Sequence, residues 1–332
     1  MKRIAVCICA VMLCTIPVSA GLESPFSYYN LYSAGDIGTS TQAYGSDVQG
    51  TIGAGGDVYF SYFSADDHLL NDYGLHVGGS ATLVGGSYYK NVEVGGNLSM
   101  QSLNIEGDVY VGGNVTATTG GTINGNLSAA GTITMPQYSF SVTGTTSENM
   151  LYSNVVNFDV ATEYFTEVSS YYGGLTETTS YENNWGGINV ELSSGLNIVA
   201  MSADEFKNAW GLTVSGATDG VLVINLTGEI AELDSTTLAG IDSSKVLLNY
   251  VDASSLSITG GNTLNILAIN ADTNFAYGHV DGNLIVANLT GSGQVNEGFF
   301  DPGTNPVPEP CTIAILALGA LMVNRPRSKR KA

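Results

Sequence analysis

Four short segments of this chain repeat one pattern: an apolar step, a Gly-Gly pair, an Asn, Asp or small polar residue, then another apolar step. They are Ile52-Gly-Ala-Gly-Gly-Asp-Val58, His76-Val-Gly-Gly-Ser-Ala81, Glu93-Val-Gly-Gly-Asn-Leu98 and Tyr110-Val-Gly-Gly-Asn-Val115, with Asn124-Gly-Asn-Leu127 as a shorter relative. The pairs that begin at Gly78, Gly95 and Gly112 are 17 residues apart. That period is too short for a helical repeat and too even for ordinary hairpins. It suits one coil of a β-solenoid, in which short strands stack and each coil buries its neighbour. Glycine is expected where a corner needs positive φ or where coils approach closely. The Asn or Asp after each pair can bond a turn backbone or form a ladder with the next coil. A Gly-rich antiparallel sandwich is the alternative, because alternating strands serve either fold.

Two helices are expected inside the β pattern. Phe158, Ala161, Phe165, Val168 and Tyr172 lie at 3-4-3-4 spacing and form one apolar stripe, stopped by Gly173-Gly174. Such a stripe packs against the body and shields one flank. Ser202-Ala-Asp-Glu205 reads as a capping box for a short helix with Phe206 and Trp210 on one face and Gly211 at its end. The β pattern then returns in Val221–Leu226, Val246–Tyr250, Ser255–Ile258 and Leu264–Ala268. His279-Val-Asp-Gly-Asn-Leu-Ile-Val286 repeats the Gly-Asn-apolar signature, so both ends are expected in one stack. The fold class expected is mainly β: a right-handed parallel β-helix with one flanking α-helix, an N-terminal signal peptide and a short C-terminal transmembrane segment.

The ends carry that expectation. Lys2 and Arg3 precede an apolar run, Ile4–Ile16, and Val18-Ser19-Ala20 has the small-x-small pattern of a signal peptidase site. Residues 1–20 are read as a signal peptide cleaved between Ala20 and Gly21. Cys7, Cys9 and Cys14 leave with it, so the mature chain keeps only Cys311 and can form no internal disulfide. At the other end, Asn305-Pro-Val-Pro-Glu-Pro310 is rigid and extended. Residues 311–323 carry no charge, and Arg325, Arg327, Lys329, Arg330 and Lys331 crowd the tip. This is a short membrane segment with its basic end in the cytoplasm.

Between the ends, residues 21–304 hold all of the chain's 30 acidic residues except Glu309, and only three basic ones, Lys90, Lys207 and Lys245. Such a surface repels nucleic acid and anionic lipid. Val307-Pro308-Glu309-Pro310, the apolar run and the basic tip resemble the PEP-CTERM sorting signal. The resemblance implies processing by an exosortase, in a Gram-negative, exopolysaccharide-making cell, with transient insertion in the inner membrane and delivery to the surface or matrix. The body resembles the choice-of-anchor A domain, through Phe26-Ser-Tyr-Tyr-Asn30, Gly35-Asp36, Ser46–Gly50, Gly55-Gly56, Val223–Gly228, Leu248–Ala253, Ile266–Ala271 and Gly278–Asn283. It departs at Ile269, where that family usually has Pro. The resemblance implies an adhesive β-solenoid over 21–304, no assigned catalytic residues and no cofactor, with 305–332 as the sorting signal.

No chemistry converges in the sequence. A lyase needs a Lys or Arg base, and this region has no Arg and three scattered Lys. Paired carboxylates for glycoside hydrolysis remain open among so many acids. His68, His76 and His279 have no metal-ligand spacing and are expected at coil turns. Asp66-Asp67 and Asp72 bracket a loop without a calcium-loop register. Thr116, Thr118, Thr119 and Thr122 are dense, but the other coils do not repeat them, which counts against an ice-binding array. The doublets Tyr28-Tyr29, Tyr88-Tyr89 and Tyr171-Tyr172 could stack on sugars, with alternation placing only half of them outward. The function expected is a non-catalytic surface or matrix adhesin that binds exopolysaccharide or another surface component. A glycan hydrolase and a purely structural surface protein are the rivals.

Overall fold

The computed structural model describes residues 24–65, 72–136, 139–152 and 156–303. Its strands stack in parallel, coil on coil. Leu75 pairs with Val92, Val92 with Val109, and Val109 with Leu127, steps of 17, 17 and 18 residues. Inward positions therefore repeat as columns of fully buried Leu, Val and Ile, and one core runs through the stack. Among the described residues one ladder is antiparallel, Tyr181–Asn184 against Gly187–Leu192. The sandwich alternative is thereby excluded.

The Gly-Gly pairs turn the corners, and the physical reason is space. None of Gly78, Gly79, Gly112 and Gly113 has positive φ. A Cβ on Gly112 would lie 2.2 Å from the Gly95 carbonyl oxygen, and one on Gly78 would lie 2.5 Å from that of Gly55. The residue after each pair forms the ladder. Side-chain oxygens of Asp36, Asp57, Ser80, Asn97 and Asn114 accept from the backbone N–H of Asp57, Ser80, Asn97, Asn114 and Thr132, at 2.7–3.1 Å. A second ladder runs Asn91, Asp108, Asn126, Thr145. Each rung satisfies a corner N–H that no strand partner reaches.

Sequence order and spatial order differ. The first strand, Leu31–Ser33, lies in the middle of the stack, between Ile52–Ala54 and Leu284–Val286. From there the chain coils outward to Thr146–Ser147. It then returns and builds the other half from the far end inward: Leu196–Ser202, Val221–Thr227, Val246–Tyr250, Asn265–Tyr277 and Leu284–Gly291. The last of these closes the seam on Leu31–Ser33.

The helix Phe158–Gly174 covers this return. Its predicted stripe is the buried one, with Ala161, Phe165, Val168 and Tyr172 packed on Tyr32, Val223, Leu247, Leu267 and Ile285. Asn157 caps its start, accepting from Val160 N–H. Near its end, Asn225 donates to the Tyr172 carbonyl (2.7 Å) and Asn249 to the Ser169 carbonyl (3.0 Å), so two buried sheet asparagines serve helix carbonyls. The short helix is Ala203–Lys207, with the predicted Ser202 cap. Its predicted continuation is wrong. Phe206 is buried, Trp210 points to solvent, and Gly211 opens a strand, because the helix has already ended at Lys207. The signal-peptide and sorting-signal residues, and with them the transmembrane segment, lie outside the described residues. Among those described, no helix is long and apolar enough to cross a membrane.

Gly112→Val forces a side chain against the preceding coil and the Tyr152 ring. It should lower stability by about 1–3 kcal/mol in a urea titration, as overpacking does.

Candidate binding site

The fold presents its outward residues in columns, and one corner departs from plain alternation. In Val58–Ala65 both Phe60 and Phe63 point inward, their rings stacked at 3.9 Å. Two inward residues three apart require the chain to turn between them, and Tyr62 takes a left-handed backbone (φ +53) to do so. The next coils place Gly85 (φ +70) and Ser102 (φ +53) at the same corner. Gly85 adopts this conformation freely, while a residue with a Cβ is strained there by about 1–2 kcal/mol. The Tyr62 ring rests over Gly85, where a Cβ would stand 3.0 Å from Cδ1. It is 83 % exposed.

Tyr62 and Tyr89, both exposed, border an open cleft of about 490 Å³. Its floor is Ser46, Asp47, Val48 and Ser64, with Gln49 at the side. Asp47 is fixed by Gln294, whose Nε2 donates to Oδ2 at 2.7 Å. Asp47 is the single carboxylate lining the cleft. A second open concavity holds two, Asp36 and Asp272. Both are engaged structurally: Asp36 accepts from Asp57 N–H and Asp272 from Asn288 Nδ2, each at 2.7 Å.

Each tyrosine doublet has one buried member, but only Tyr88 is in a strand. Tyr28-Tyr29 ends a short helix and Tyr171-Tyr172 lies in the long one, so helix packing and not strand alternation splits those two. Tyr29, Tyr88 and Tyr172 are buried, Tyr89 is exposed, and Tyr28 and Tyr171 are half-buried. His76 lies within a strand, not at a turn, and is fully buried. Its Nδ1 is 2.7 Å from the buried Glu93 carboxylate and its Nε2 is 2.8 Å from the Tyr28 hydroxyl. Tyr152 donates to the other Glu93 oxygen at 3.1 Å. This row ties Tyr28 and Tyr152, both half-buried, to two successive coils through His76 and Glu93. His279 is also in a strand, 3.7 Å from Asp281. His68, Asp66 and Asp67 lie outside the described residues, and Asp72 is exposed. No group of three or more metal-ligating side chains occurs among the described residues.

Hydroxyls are more regular than the sequence suggested. Thr116 stacks in register with Thr134 and Ser99, and Ser99 with Thr82, giving one outward row across four coils. Tyr59 ends the row beside Thr82. The signal was hidden because Ser and Thr share it and the coil steps are unequal. Tyr62 and Trp185 carry no sequence signal because nothing in alternation marks a corner or a hairpin tip, and the helical spacing from Phe206 places Trp210 on a helix face.

The fold is thus a stack of parallel coils with open polar concavities on its outer surface. Residues 23–297 match the family described as "Putative Ice-binding-like adhesive domain", and the chain belongs to that family. Comparison with curated proteins gives no match. A solved structure described as a possible adhesin C-terminal domain from Caldicellulosiruptor kronotskyensis is similar at 10% identity, over 90% of this chain and 98% of that one, with a TM-score of 0.28.

The buried tyrosines set an alkaline limit. Burial, then the Glu93 charge, pushes the Tyr28 hydroxyl from 10.0 up to about 12. Burial raises Tyr29, Tyr88 and Tyr250 as well. A tyrosine raised on folding stabilises the neutral folded form below the unfolded value, and that stability is lost as pH rises toward the folded value. The unfolding midpoint in urea should therefore fall as pH rises from 10 toward 12, with part of the tyrosinate absorbance withheld until the chain unfolds.

Proposed function

We propose that this chain is a non-catalytic cell-surface or matrix adhesin that binds exopolysaccharide or a similar surface glycan. The observation that carries the reading is the open polar cleft between Tyr62 and Tyr89, on a chain of an adhesive-domain family. Flat aromatic faces beside Ser, Asp and Gln suit a sugar, whose ring has apolar faces and hydroxyl edges. A single carboxylate in the cleft, and structural bonds on the pair in the other concavity, favour binding over two-carboxylate hydrolysis. Right-handed coiling is part of the reading, since parallel crossovers take that hand almost always.

The exported chain should be retained on its host's exopolysaccharide without releasing new reducing ends. Tyr62→Gly removes the exposed ring and supplies the residue type that the backbone favours. It should weaken retention while leaving the unfolding midpoint equal or higher. Multiple-turnover release of oligosaccharides would replace the adhesin by the hydrolase.

Export and sorting belong to the same proposal. Signal peptidase acts between Ala20 and Gly21. An exosortase acts near Val307-Pro308-Glu309-Pro310, after transient membrane contact through residues 311–323 and a cytoplasmic stop at Arg325, Arg327, Lys329, Arg330 and Lys331. Mass spectrometry of surface material should show both termini trimmed, and an intact basic tail there would defeat the exosortase step.

A second reading, contact with ice, draws on the hydroxyl row Thr82, Ser99, Thr116, Thr134. Inhibition of ice recrystallisation by the exported chain, lost on Thr116→Tyr, would support it.

A further inference from the structure

The antiparallel hairpin Tyr181–Asn184/Gly187–Leu192 ends the four-stranded sheet, and its tip carries Trp185. The chain has two tryptophans, Trp185 and Trp210, and both are at this tip. Trp185 is 99 % exposed and Trp210 64 %. Tryptophan is ordinarily highly buried, so a pair in solvent marks a contact surface.

Trp210 is held as a platform. Its Nε1–H donates to the Trp185 carbonyl at 3.0 Å. Its ring lies on the backbone of Gly186 and Gly187, where a Cβ on Gly187 would stand 2.8 Å from Cζ2. The N–H side of the indole is thus held against the turn, and much of the ring meets solvent. Trp185 sits at φ +55, a conformation that disfavours any side chain. The turn is braced from behind: Gly186 N–H donates to Asn183 Oδ1 at 3.0 Å, and Tyr181 donates to Glu205 at 2.7 Å. Glu205 itself is fixed by its backbone bond to Ser202. An indole immobilised before binding loses little freedom on binding.

The surroundings select the occupant. Glu182, Asn184, Asn208 and Thr237 are exposed nearby and offer hydrogen-bonding groups for hydroxyls. The one lysine of the adjacent short helix, Lys207, is engaged by Glu232. With a net charge of −20, the chain repels polymers of uronic or sulfated sugars.

We infer that Trp210 and Trp185 form a stacking platform for the neutral pyranose rings of a hydroxyl-rich glycan, separate from the Tyr62–Tyr89 cleft. This rests on the adhesive reading above and gives it a ligand class and a second address.

Both tryptophans lie at the platform, so indole fluorescence of the full chain reports on it alone. Titration with cellohexaose or chitohexaose should give a saturable change, and polygalacturonate should give none. By calorimetry, Trp210→Ala should weaken hexaose binding about tenfold or more. Gly187→Val, which displaces the ring, should do the same. Trp185→Ala alters a fully exposed side chain and serves as the decisive variant should Trp210→Ala fail to fold, which circular dichroism would show. Unchanged hexaose affinity in the folded tryptophan variants would overturn the platform. So would the absence of any hexaose response, or an indole blue shift with phosphatidylcholine vesicles in place of sugar. Loss of exopolysaccharide retention in a wild type that still binds hexaose would instead remove the adhesive reading and leave the platform standing.

Discussion

The seam between Leu31–Ser33 and Leu284–Val286 is the contact on which the architecture depends. It joins residues about 250 positions apart, and on the neighbouring sheet Val48 pairs with Val295 to close the same junction. Two buried asparagines bridge it. Asn283 donates to the carbonyls of Phe26 and Tyr29 and accepts from Phe300 N–H. Asn30 donates to the carbonyls of Gly282 and Gly298. Both side chains are buried, so each of these bonds replaces one that water can no longer make. The aromatic contacts Phe26–Phe300 and Phe26–Phe165 then bind the two described ends of the chain to the helix.

A stack closed in its middle has its weak points at its ends, where strands have one neighbour and edges invite pairing. At one end the hairpin Tyr181–Leu192 joins the third face and turns the chain back on itself. Two of the three lysines in the body are spent on fixed local pairs, Lys245 with Asp301 at the seam and Lys207 with Glu232 near the hairpin. The Lys245 ammonium holds the Asp301 carboxyl below the usual carboxylate range. With no disulfide available to the described residues, cohesion comes from the apolar columns and from the side-chain ladders at the corners.

The sequence made the repeating half of this fold legible and the closing half only partly so. The 17-residue Gly-Gly spacing is a direct image of coil length, because each pair sits where a Cβ would strike the coil before it. The helix stripe was equally plain, since Phe165 and Tyr172 have one side to bury. The reversal of order was harder. The Gly-Asn signature at 282–283 announced membership of the stack, but nothing local reveals that its partner is Asn30 rather than the preceding coil alone. The short helix failed for a related reason. Phe206 and Trp210 fit a helical stripe, yet the sheet claims Gly211 first, and tertiary pairing overrides a weak local preference.

Backbone strain and aromatic exposure coincide in a way that packing alone does not explain. Among the described residues, four non-glycine positions have positive φ: Tyr62, Ser102, Asn149 and Trp185. Two of them are large, solvent-exposed aromatics. Each of these aromatics opposes folding through a left-handed backbone that glycine would adopt freely, and leaves in water an apolar area that contributes nothing to folding. The coil equivalent to Tyr62 shows the unstrained solution, with Gly85 at the same corner. A glycine at either tip would serve the fold better, and strain that the fold does not need belongs to the surface it creates. At Tyr62 that surface is an exposed ring against Gly85, and at Trp185 the strained turn carries an exposed indole and offers the carbonyl that holds Trp210.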